Sequence, residues 1–334
     1  MVRGKRKINS ENLPTKKRKS ENAAKSSENI SENSCGRISD YFSDENEILE
    51  NLTNVFRVHH PAEILKFWKH VLSLTEKESD PCDAFKELSC LRLVGVFEYM
   101  AGHTKEILHK DSLLTYRRYA TDLPEMQTIG IYNGGRDYPE QTMPLIIHVA
   151  NDEHFPTVQI VGCIDPTYML SYLIGSKLNN KTEALLPKDW RGNYKRYTNE
   201  VKKIASKRRK QCLGKPFHGI GIIVDVKNNI GYRPLIDQPG KLKKLLIETA
   251  QTTNSSDRAM KMEEIQNLMA YFANDEMDYG MGLEFGHDLF FSNYEIYDVL
   301  ASHTLTTAYK LLKRSAFADI LEAHIKERRN NVGH

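Results

Sequence analysis

The sequence predicts an α+β fold: a mixed, mainly antiparallel sheet with packed helices, in two abutting subdomains that follow a basic tail. Short strand-like segments cluster in residues 91–165, whereas helical periodicity dominates on either side of them. Strands and helices do not alternate regularly, as they would in a doubly wound parallel sheet. The predicted ranges are 1–43 for the tail, 44–150 for the first subdomain and 151–330 for the second.

The composition is that of an ordinary globular chain. It has 334 residues, of which 40% are hydrophobic and 27% are charged. No apolar run approaches the roughly 18 residues of a membrane span, and the basic N-terminus lacks the apolar stretch of a secretory signal. Five scattered cysteines favour a reducing compartment, and twelve histidines form no ligand motif. We therefore expect no metal site and no membrane partner.

The tail carries the basic charge of the chain. Residues 1–34 hold nine Lys/Arg and four Asp/Glu, a net charge of +5, while the whole chain has a net charge of +3. Residues 1–43 contain few large apolar side chains, which predicts disorder. The cluster Lys16, Lys17, Arg18 and Lys19 follows Pro14 and is typical of a nuclear localisation signal.

Local periodicity predicts the elements in order. Helical spacing begins near Asn46, and "HPAEILKFWKHVLSL" places Trp68 on an apolar face as a core anchor. The predicted strands are "TIGIYN", "MPLIIHVAN", "TVQIVG" and, as a buried strand, "FHGIGIIVDV". The later helices are "PTYMLSYLIGSKL", the basic segment Tyr194–Gln211, "KLKKLLIETAQ", "DRAMKMEEIQNLMAYFANDE" and one long pattern over residues 297–328.

The basic helix has two interpretations. Its cations are Lys202, Lys203, Lys207, Arg208, Arg209 and Lys210. They could bind nucleic acid or another polyanion. However, no aromatic residues interleave with them, which favours a solvated helix face. Strong direct DNA binding is therefore not expected.

The helix that ends in "YFANDEMDYGMGLEFG" terminates in carboxylates, although the macrodipole favours cations at a helix C-terminus. At 100° per residue from Ile265, Glu276 falls at about 20°, inside the apolar stripe, and Asp275 falls at about 280°, on its edge. Partial burial, like charges nearby and the helix dipole would all raise the pKa of Glu276 and favour a general base. A frayed helix end, with Gly280 and Gly282 as cap and turn, is the alternative.

Carboxylates in this arrangement suit several chemistries. They could act in glycoside hydrolysis, hold Mg²⁺ for phosphoryl chemistry, or deprotonate a hydroxyl that attacks an electrophile held elsewhere. The sequence contains no Walker loop, no G-x-S-x-G elbow and no dinucleotide fingerprint. Catalytic carboxylates without a cofactor site favour an electrophile supplied by another molecule.

Four stretches of the sequence form an ordered run of motifs: "LPEMQTIGIYN", "FHGIGIIVDV…IGYRPL", "FANDEMDYGMGLEFG" and "AYKLLKRSAFADILEAHI". Together they resemble the histone PARylation factor family, accessory subunits of the nuclear, DNA-damage-activated poly(ADP-ribose) polymerases. The resemblance covers most of residues 55–325, but the tail does not match in detail. It implies a two-part α+β protein that binds the catalytic domain of the polymerase, so that the two proteins share one active site at damaged chromatin.

The resemblance also implies that the polymerase and this chain contribute different groups to the shared active site. The polymerase holds NAD, so this chain is expected to bind no cofactor and not to be an enzyme alone. It supplies a glutamate that deprotonates an acceptor serine, which directs ADP-ribosylation to serine on histones and on the polymerase. By motif match the glutamate is Glu276, and Phe272 and Asp275 look like partner contacts.

The resemblance assigns docking to a second motif. Tyr232 and Arg233, in "GYRPL", match the pair that docks onto the polymerase, with the arginine near the polymerase C-terminus. The partner of Arg233 is then expected on the other molecule. Asp278 is a candidate contact to the substrate peptide. The chain departs from the family pattern at Met277, where the resemblance implies a cysteine beside the base.

Two other functions remain open on the residues alone. A stand-alone hydrolase would use Asp275 and Glu276 and would turn over substrate without a partner protein. A chromatin-binding adaptor without a catalytic role would use the basic tail and the helix around Lys202 to Lys210.

Overall fold

The computed structural model describes residues 42, 44–88, 90–104, 112–132, 135–139, 144–175, 179–234, 239–270 and 277–329. Contacts divide the chain after residue 36, and every described residue belongs to the second unit, Arg37–His334. The predicted localisation signal, Lys16 to Lys19, lies outside the described residues. No described helix has the length and apolar character needed to span a bilayer.

A five-stranded antiparallel sheet lies between two hydrophobic clusters. Its strands pair in chain order: β1 (Arg92–Leu93), β2 (Gly130–Tyr132), β3 (Gly135–Pro139), β4 (Leu145–Val149) and β5 (Val158–Cys163). Strands β2, β4 and β5 confirm the strands predicted at "TIGIYN", "MPLIIHVAN" and "TVQIVG". A wholly antiparallel sheet with separate helices confirms the α+β class.

Helices make up most of the remaining regular structure. They are α1 (Glu45–Phe56), α2 (Glu63–Leu74), α3 (Val96–Ala101), α4 (Ser112–Thr115), α5 (Thr167–Ile174), α6 (Asn180–Ala184), α7 (Tyr194–Gln211), α8 (Pro239–Gln251), α9 (Ser255–Ala270), α10 (Tyr279–Ser292), α11 (Asp298–Leu311) and α12 (Ser315–Glu327).

Local chemistry explains several helix boundaries. Asp44 caps α1, because its side chain accepts a hydrogen bond from Asn46 N at 3.2 Å. Arg57, with φ of 58°, ends α1 in the left-handed conformation.

Helix α7 has the predicted bounds. Helix α9 confirms the predicted helix as far as the structure describes it, and the predicted continuation to Glu276 lies outside the described residues.

Alternate side chains of β4 enter different hydrophobic clusters. Leu145 and Ile147 pack in a cluster with residues of α10 and α11, whereas Ile146 packs in the cluster that contains Trp68. Successive strand residues point to opposite faces, so β4 is buried on both sides. Trp68 is 5% exposed, which confirms it as a core anchor. The subdomain boundary at residue 150 stays a prediction.

Residues 217–226 do not form the predicted buried strand. Apart from an isolated bridge at Ile222, the described segment makes no strand pairing. Gly219 and Gly221 have φ of 78° and 77°, which breaks the extended conformation. Ile220 and Ile222 are nevertheless buried, at 4% and 3% exposure. The apolar pattern therefore predicted burial correctly and secondary structure wrongly.

The predicted long C-terminal helix is two helices, α11 and α12. Lys313, with φ of 59°, turns the chain between them. Arg314 N then donates to Tyr309 O at 2.7 Å, which satisfies a carbonyl at the end of α11. The prediction failed because the sequence places neither glycine nor proline at this turn.

Gly280 and Gly282 begin a helix rather than end one. They lie in the first turn of α10, a helix that the sequence pattern did not predict. Gly280 N donates to Gly231 O at 2.9 Å. A Cβ added at Gly280 would lie 2.7 Å from both Gly231 O and Val224 Cγ2. The glycine is therefore needed for the close approach of residues 224–232 to α10.

Two alanine substitutions should have opposite effects on stability. Gly280→Ala should lower the free energy of unfolding by about 1–3 kcal/mol, because the new methyl group clashes with backbone and core atoms. Gly240→Ala is the matched control, since Gly240 is also the second residue of its helix but a Cβ there meets nothing within 4 Å. It should raise stability by about 0.5 kcal/mol. Urea unfolding measures both values, and equal effects would contradict the packing argument.

Candidate functional site

The described part of the candidate site is the contact between residues 231–233 and the start of α10. Gly231 N donates to Asp278 Oδ1 at 2.9 Å, and Gly280 N donates to Gly231 O at 2.9 Å. Gly231 has φ of 129°, and an added Cβ would lie 2.3 Å from Asp225 O. Both backbone polar groups of Gly231 are thus bound to the helix start, which fixes the residues that follow it.

Tyr232, one of the two predicted docking residues, is partly buried and points at α10. Its hydroxyl donates to Glu284 Oε2 at 2.7 Å. Burial and the neighbouring carboxylates of Glu284 and Asp288 raise the pKa of Tyr232. The phenol therefore stays protonated at neutral pH and acts as a hydrogen-bond donor within the chain.

Arg233, the other predicted docking residue, forms an ion pair with Asp278. The Nε of Arg233 lies 3.2 Å from Asp278 Oδ2, and the two side chains are 47% and 1% exposed respectively. The expectation that Arg233 finds its partner on another molecule is therefore incomplete, because it has an internal partner as well. Nearly half of the Arg233 side chain is nevertheless exposed.

Three buried carboxylates of α10 and its N-cap bind backbone N–H groups of residues 215–231. Besides the Asp278 contact, Lys215 N donates to Glu284 Oε1 at 2.8 Å, and Phe217 N donates to Asp288 Oδ1 at 2.7 Å. Burial raises the pKa of Asp288 well above its ordinary value, and the nearby Glu284 charge adds to the effect. These contacts replace the strand partner that the segment lacks.

Arginines bind the carbonyl groups of the same segment. Arg208 donates to Ile220 O at 3.3 Å and to Gly221 O at 3.0 Å, and Arg314 donates to Ile223 O at 2.7 Å. Arg208 is 3% exposed, so it does not belong to the solvated face of the basic helix. The other predicted cations of that helix are exposed: Lys202, Lys203, Lys207, Arg209 and Lys210.

A buried polar network lies on another side of α10. Ile220 N donates to His218 Nδ1 at 3.2 Å, so His218 Nε2 carries the proton toward His287 Nδ1, also at 3.2 Å. His287 Nε2 then donates to Glu125 Oε1 at 3.2 Å, and Tyr309 OH donates to Glu125 Oε2 at 2.6 Å. Burial, His287 and Arg208 lower the pKa of His218 well below its ordinary value. All four ring or carboxylate groups are buried, which makes this network structural.

The remaining predicted site residues, Phe272, Asp275 and Glu276, lie outside the described residues. The next described residue is Met277, which is 54% exposed and has φ of 58°. Asp278, the candidate substrate contact, is 1% exposed and faces Gly231 and Arg233. The structure thus brings Tyr232, Arg233 and Asp278 together directly before α10, and Glu276 precedes Asp278 by two residues in the chain.

Sequence reasoning missed Glu284 and Asp288, which bind the backbone of Lys215 and Phe217 and, through Glu284, the Tyr232 hydroxyl. A signal for them exists in "GLEFGHDLFF", where two carboxylates four residues apart interrupt an apolar helix and therefore share one face. Buried carboxylates at this spacing need partners from outside the helix.

Among the described residues, Asp80, Cys82 and His103 are close enough together to be considered as metal ligands. Their contacts oppose this use. Asp80 Oδ1 accepts from Cys82 N at 2.9 Å, and Asp80 Oδ2 accepts from Arg92 Nη1 at 3.1 Å. Burial, Asp80 and Glu98 raise the pKa of the Cys82 thiol, so it does not supply a thiolate readily.

Known proteins resemble this chain over most of its length. The sequence model of the family described as Histone PARylation factor 1 matches residues 47–328. Histone PARylation factor 1 of Bos taurus is 30% identical over 307 residues, covering 84% of this chain and 87% of that protein. The Mus musculus protein of the same name is 30% identical over 306 residues, with the same coverage of 84% and 87%. A Homo sapiens protein named putative histone PARylation factor 1-like is 29% identical over 309 residues, covering 85% and 87%.

Removing the Arg233 guanidinium should destabilise the free protein. Arg233→Ala leaves the buried Asp278 carboxylate without its cation, and allowing for the half-exposed arginine we expect a loss of about 1–2 kcal/mol. The thermal midpoint should fall by about 2–5 °C. Arg233→Ala combined with Asp278→Asn should recover part of the loss, because the uncompensated charge is gone.

Arg209→Ala on the exposed face of α7 is the matched control and should change stability by less than about 0.5 kcal/mol. Differential scanning calorimetry of the four proteins measures these effects. Equal midpoints for Arg233→Ala and Arg209→Ala would show that the ion pair contributes nothing to the fold.

Proposed function

Since the chain belongs to the histone PARylation factor 1 family, we propose that it is an accessory factor that completes the active site of a nuclear poly(ADP-ribose) polymerase. It binds the catalytic domain of the polymerase and supplies Glu276 as general base. The polymerase holds NAD, so this chain needs no cofactor of its own. The acceptors are serine residues of histones and of the polymerase, modified during the DNA damage response.

The reaction needs a positioned base because a serine hydroxyl is a poor nucleophile at neutral pH. In the proposed step, the Glu276 carboxylate takes the proton from serine Oγ. The oxygen forms a bond to the anomeric carbon of the ADP-ribosyl group as the bond from that carbon to nicotinamide breaks. Nicotinamide leaves with the bonding electron pair. The accessory protein contributes the base and its position, and the polymerase contributes the electrophile.

The observation that supports this proposal best is the continuity between the docking residues and the chain that carries Glu276. Residues 231–233 are bound to Asp278 and Gly280. Glu276 lies two residues before Asp278, so docking through Arg233 would bring the glutamate to the partner's active site. A guanidinium also suits a chain-terminal carboxylate, because it can bind both oxygens at once.

We place the protein in the nucleus, at chromatin and sites of DNA damage, with import through Lys16 to Lys19. Replacing these four residues by Ala in a fusion too large for passive entry should abolish nuclear accumulation. Replacing Lys202, Lys207, Arg209 and Lys210 removes the same charge from α7 and should leave import unchanged. Nuclear accumulation of the tail variant would contradict the assignment.

One alternative has an observation in its favour. The exposed cations Lys202, Lys203, Lys207, Arg209 and Lys210 of α7 would suit a chromatin-binding adaptor without a catalytic role. Such an adaptor needs these cations and not Glu276.

A stand-alone hydrolase that uses Asp275 and Glu276 would instead turn over substrate in the absence of the polymerase.

Glu276→Gln should abolish serine modification while binding to the polymerase stays close to normal. Glutamine keeps the size of the side chain but lacks a basic oxygen, and loss of a general base lowers a rate by about 10² to 10⁴-fold. The measurement is single-turnover transfer to a serine-containing histone peptide, with polymerase, NAD and saturating accessory protein. Asp275→Asn, at a predicted partner contact, should lose less activity, and excess protein should restore it.

Glu264→Gln is the matched control, since Glu264 is an exposed glutamate of α9 and precedes Glu276 by twelve residues in the sequence. It should retain full transfer. Substantial serine transfer by Glu276→Gln under saturating conditions would falsify the shared active site. Loss of transfer on removal of the α7 cations, with Glu276→Gln active, would favour the adaptor.

A further inference from the structure

Asp278, whose carboxylate is almost fully buried, contacts the proposed docking residue Arg233 and follows the proposed base Glu276 by two residues in the sequence. Asp278 is 1% exposed. Its Oδ1 accepts from Gly231 N at 2.9 Å, and its Oδ2 lies 3.2 Å from Arg233 Nε. Oδ2 has no aligned hydrogen bond to any described group. The charge of Arg233 is therefore what offsets the burial of this oxygen.

We propose that Asp278 is a positioning residue, which aims the Arg233 guanidinium at its partner and holds residues 231–233 against the start of α10, two residues after Glu276 in the sequence. The inference rests on the proposed function and adds to it, since neither docking nor proton transfer by itself requires Asp278. Asp278 does not touch NAD or the acceptor serine in this account. It acts through Arg233 and through the backbone of Gly231.

The effect on docking follows from the freedom of the arginine side chain. A long side chain loses rotamer freedom when it binds, and an internal contact that has already fixed it lowers this cost. The ion pair between Nε and Asp278 Oδ2 restrains the arginine side chain, while 47% of it stays exposed. Asp278 should therefore strengthen docking without touching the polymerase.

The effect on catalysis follows from the different contacts of the two carboxylate oxygens of Asp278. Oδ1 binds Gly231 N and, with the hydrogen bond from Gly280 N to Gly231 O, fixes the start of α10 against residues 231–233. Asp278→Asn keeps an oxygen for Gly231 and loses the charge that faces Arg233. Asp278→Ala loses both contacts. The two substitutions thus separate affinity from the rate at saturation.

A double-mutant cycle on binding tests the coupling. Calorimetric titration with the polymerase catalytic domain should give a Kd about 30-fold weaker for Arg233→Ala and about 10-fold weaker for Asp278→Asn. The double variant should be about 30-fold weaker, because Asp278 has no effect once its arginine is absent. Asp319→Asn, an exposed aspartate of α12, is the control and should bind normally.

Serine transfer at saturating accessory protein supplies the second readout. Asp278→Asn should reach within about twofold of the normal rate, and Asp278→Ala should fall by about tenfold or more, because a small misplacement of the base slows transfer. A double variant about 300-fold weaker in binding, the product of the two single effects, would overturn the inference and leave the proposed function standing. Absence of binding by the unaltered protein would overturn both.

A measurement on the unaltered chain covers the case in which the Asp278 variants do not fold. The order parameter of the Arg233 Nε–H bond, from nitrogen-15 relaxation of the free protein, should be about 0.8 or higher, as in a rigid segment. The same bond of the exposed Arg209 should give a value below about 0.6. A value for Arg233 as low as that for Arg209 would show that Asp278 does not position it.

Discussion

Three buried carboxylates determine the conformation of the segment on which the candidate site depends. Asp278, Glu284 and Asp288 accept hydrogen bonds from the backbone of Gly231, Lys215 and Phe217. A buried N–H group without an acceptor costs about 1–3 kcal/mol, so an irregular segment of this length is stable only if side chains satisfy it. The arginines that bind its carbonyl groups complete the same arrangement.

These hydrogen bonds fix residues 215–231 to α10, whereas a loop without such contacts could move relative to the helix. The helix that presents the carboxylates packs in the larger core, with Phe285, Leu289 and Phe290 at most 1% exposed. Because α10 is fixed by the core, its N-terminal end and the bound residues 231–233 are fixed as well. The proposed function would require such rigidity, since the rate of proton transfer depends on the position of the base.

The sequence predicted helices and strands that depend on neighbouring residues, but it missed contacts between residues that are distant in the sequence. Periodicity identified α2, α7 and strands β2, β4 and β5. It could not reveal that the backbone of residues 215–231 binds carboxylates of α10, because the partners lie 47, 69 and 71 residues apart. The missed turn at Lys313 has a local cause, since it lacks the glycine that usually marks a left-handed residue. Tyr232 and Arg233 were found through resemblance, and the structure adds the contact of Tyr232 with Glu284 and that of Arg233 with Asp278.

Hydrogen exchange of three backbone amides tests the central claim most directly. In the free protein at neutral pH, the amides of Lys215, Phe217 and Gly231 should exchange at rates close to those of amides in α10, because each donates to a buried carboxylate. No strand pairing of these residues would otherwise protect them. Exchange at the rate of an exposed turn such as Asn228 and Asn229 would contradict the account, since residues 215–231 would then not be held by α10.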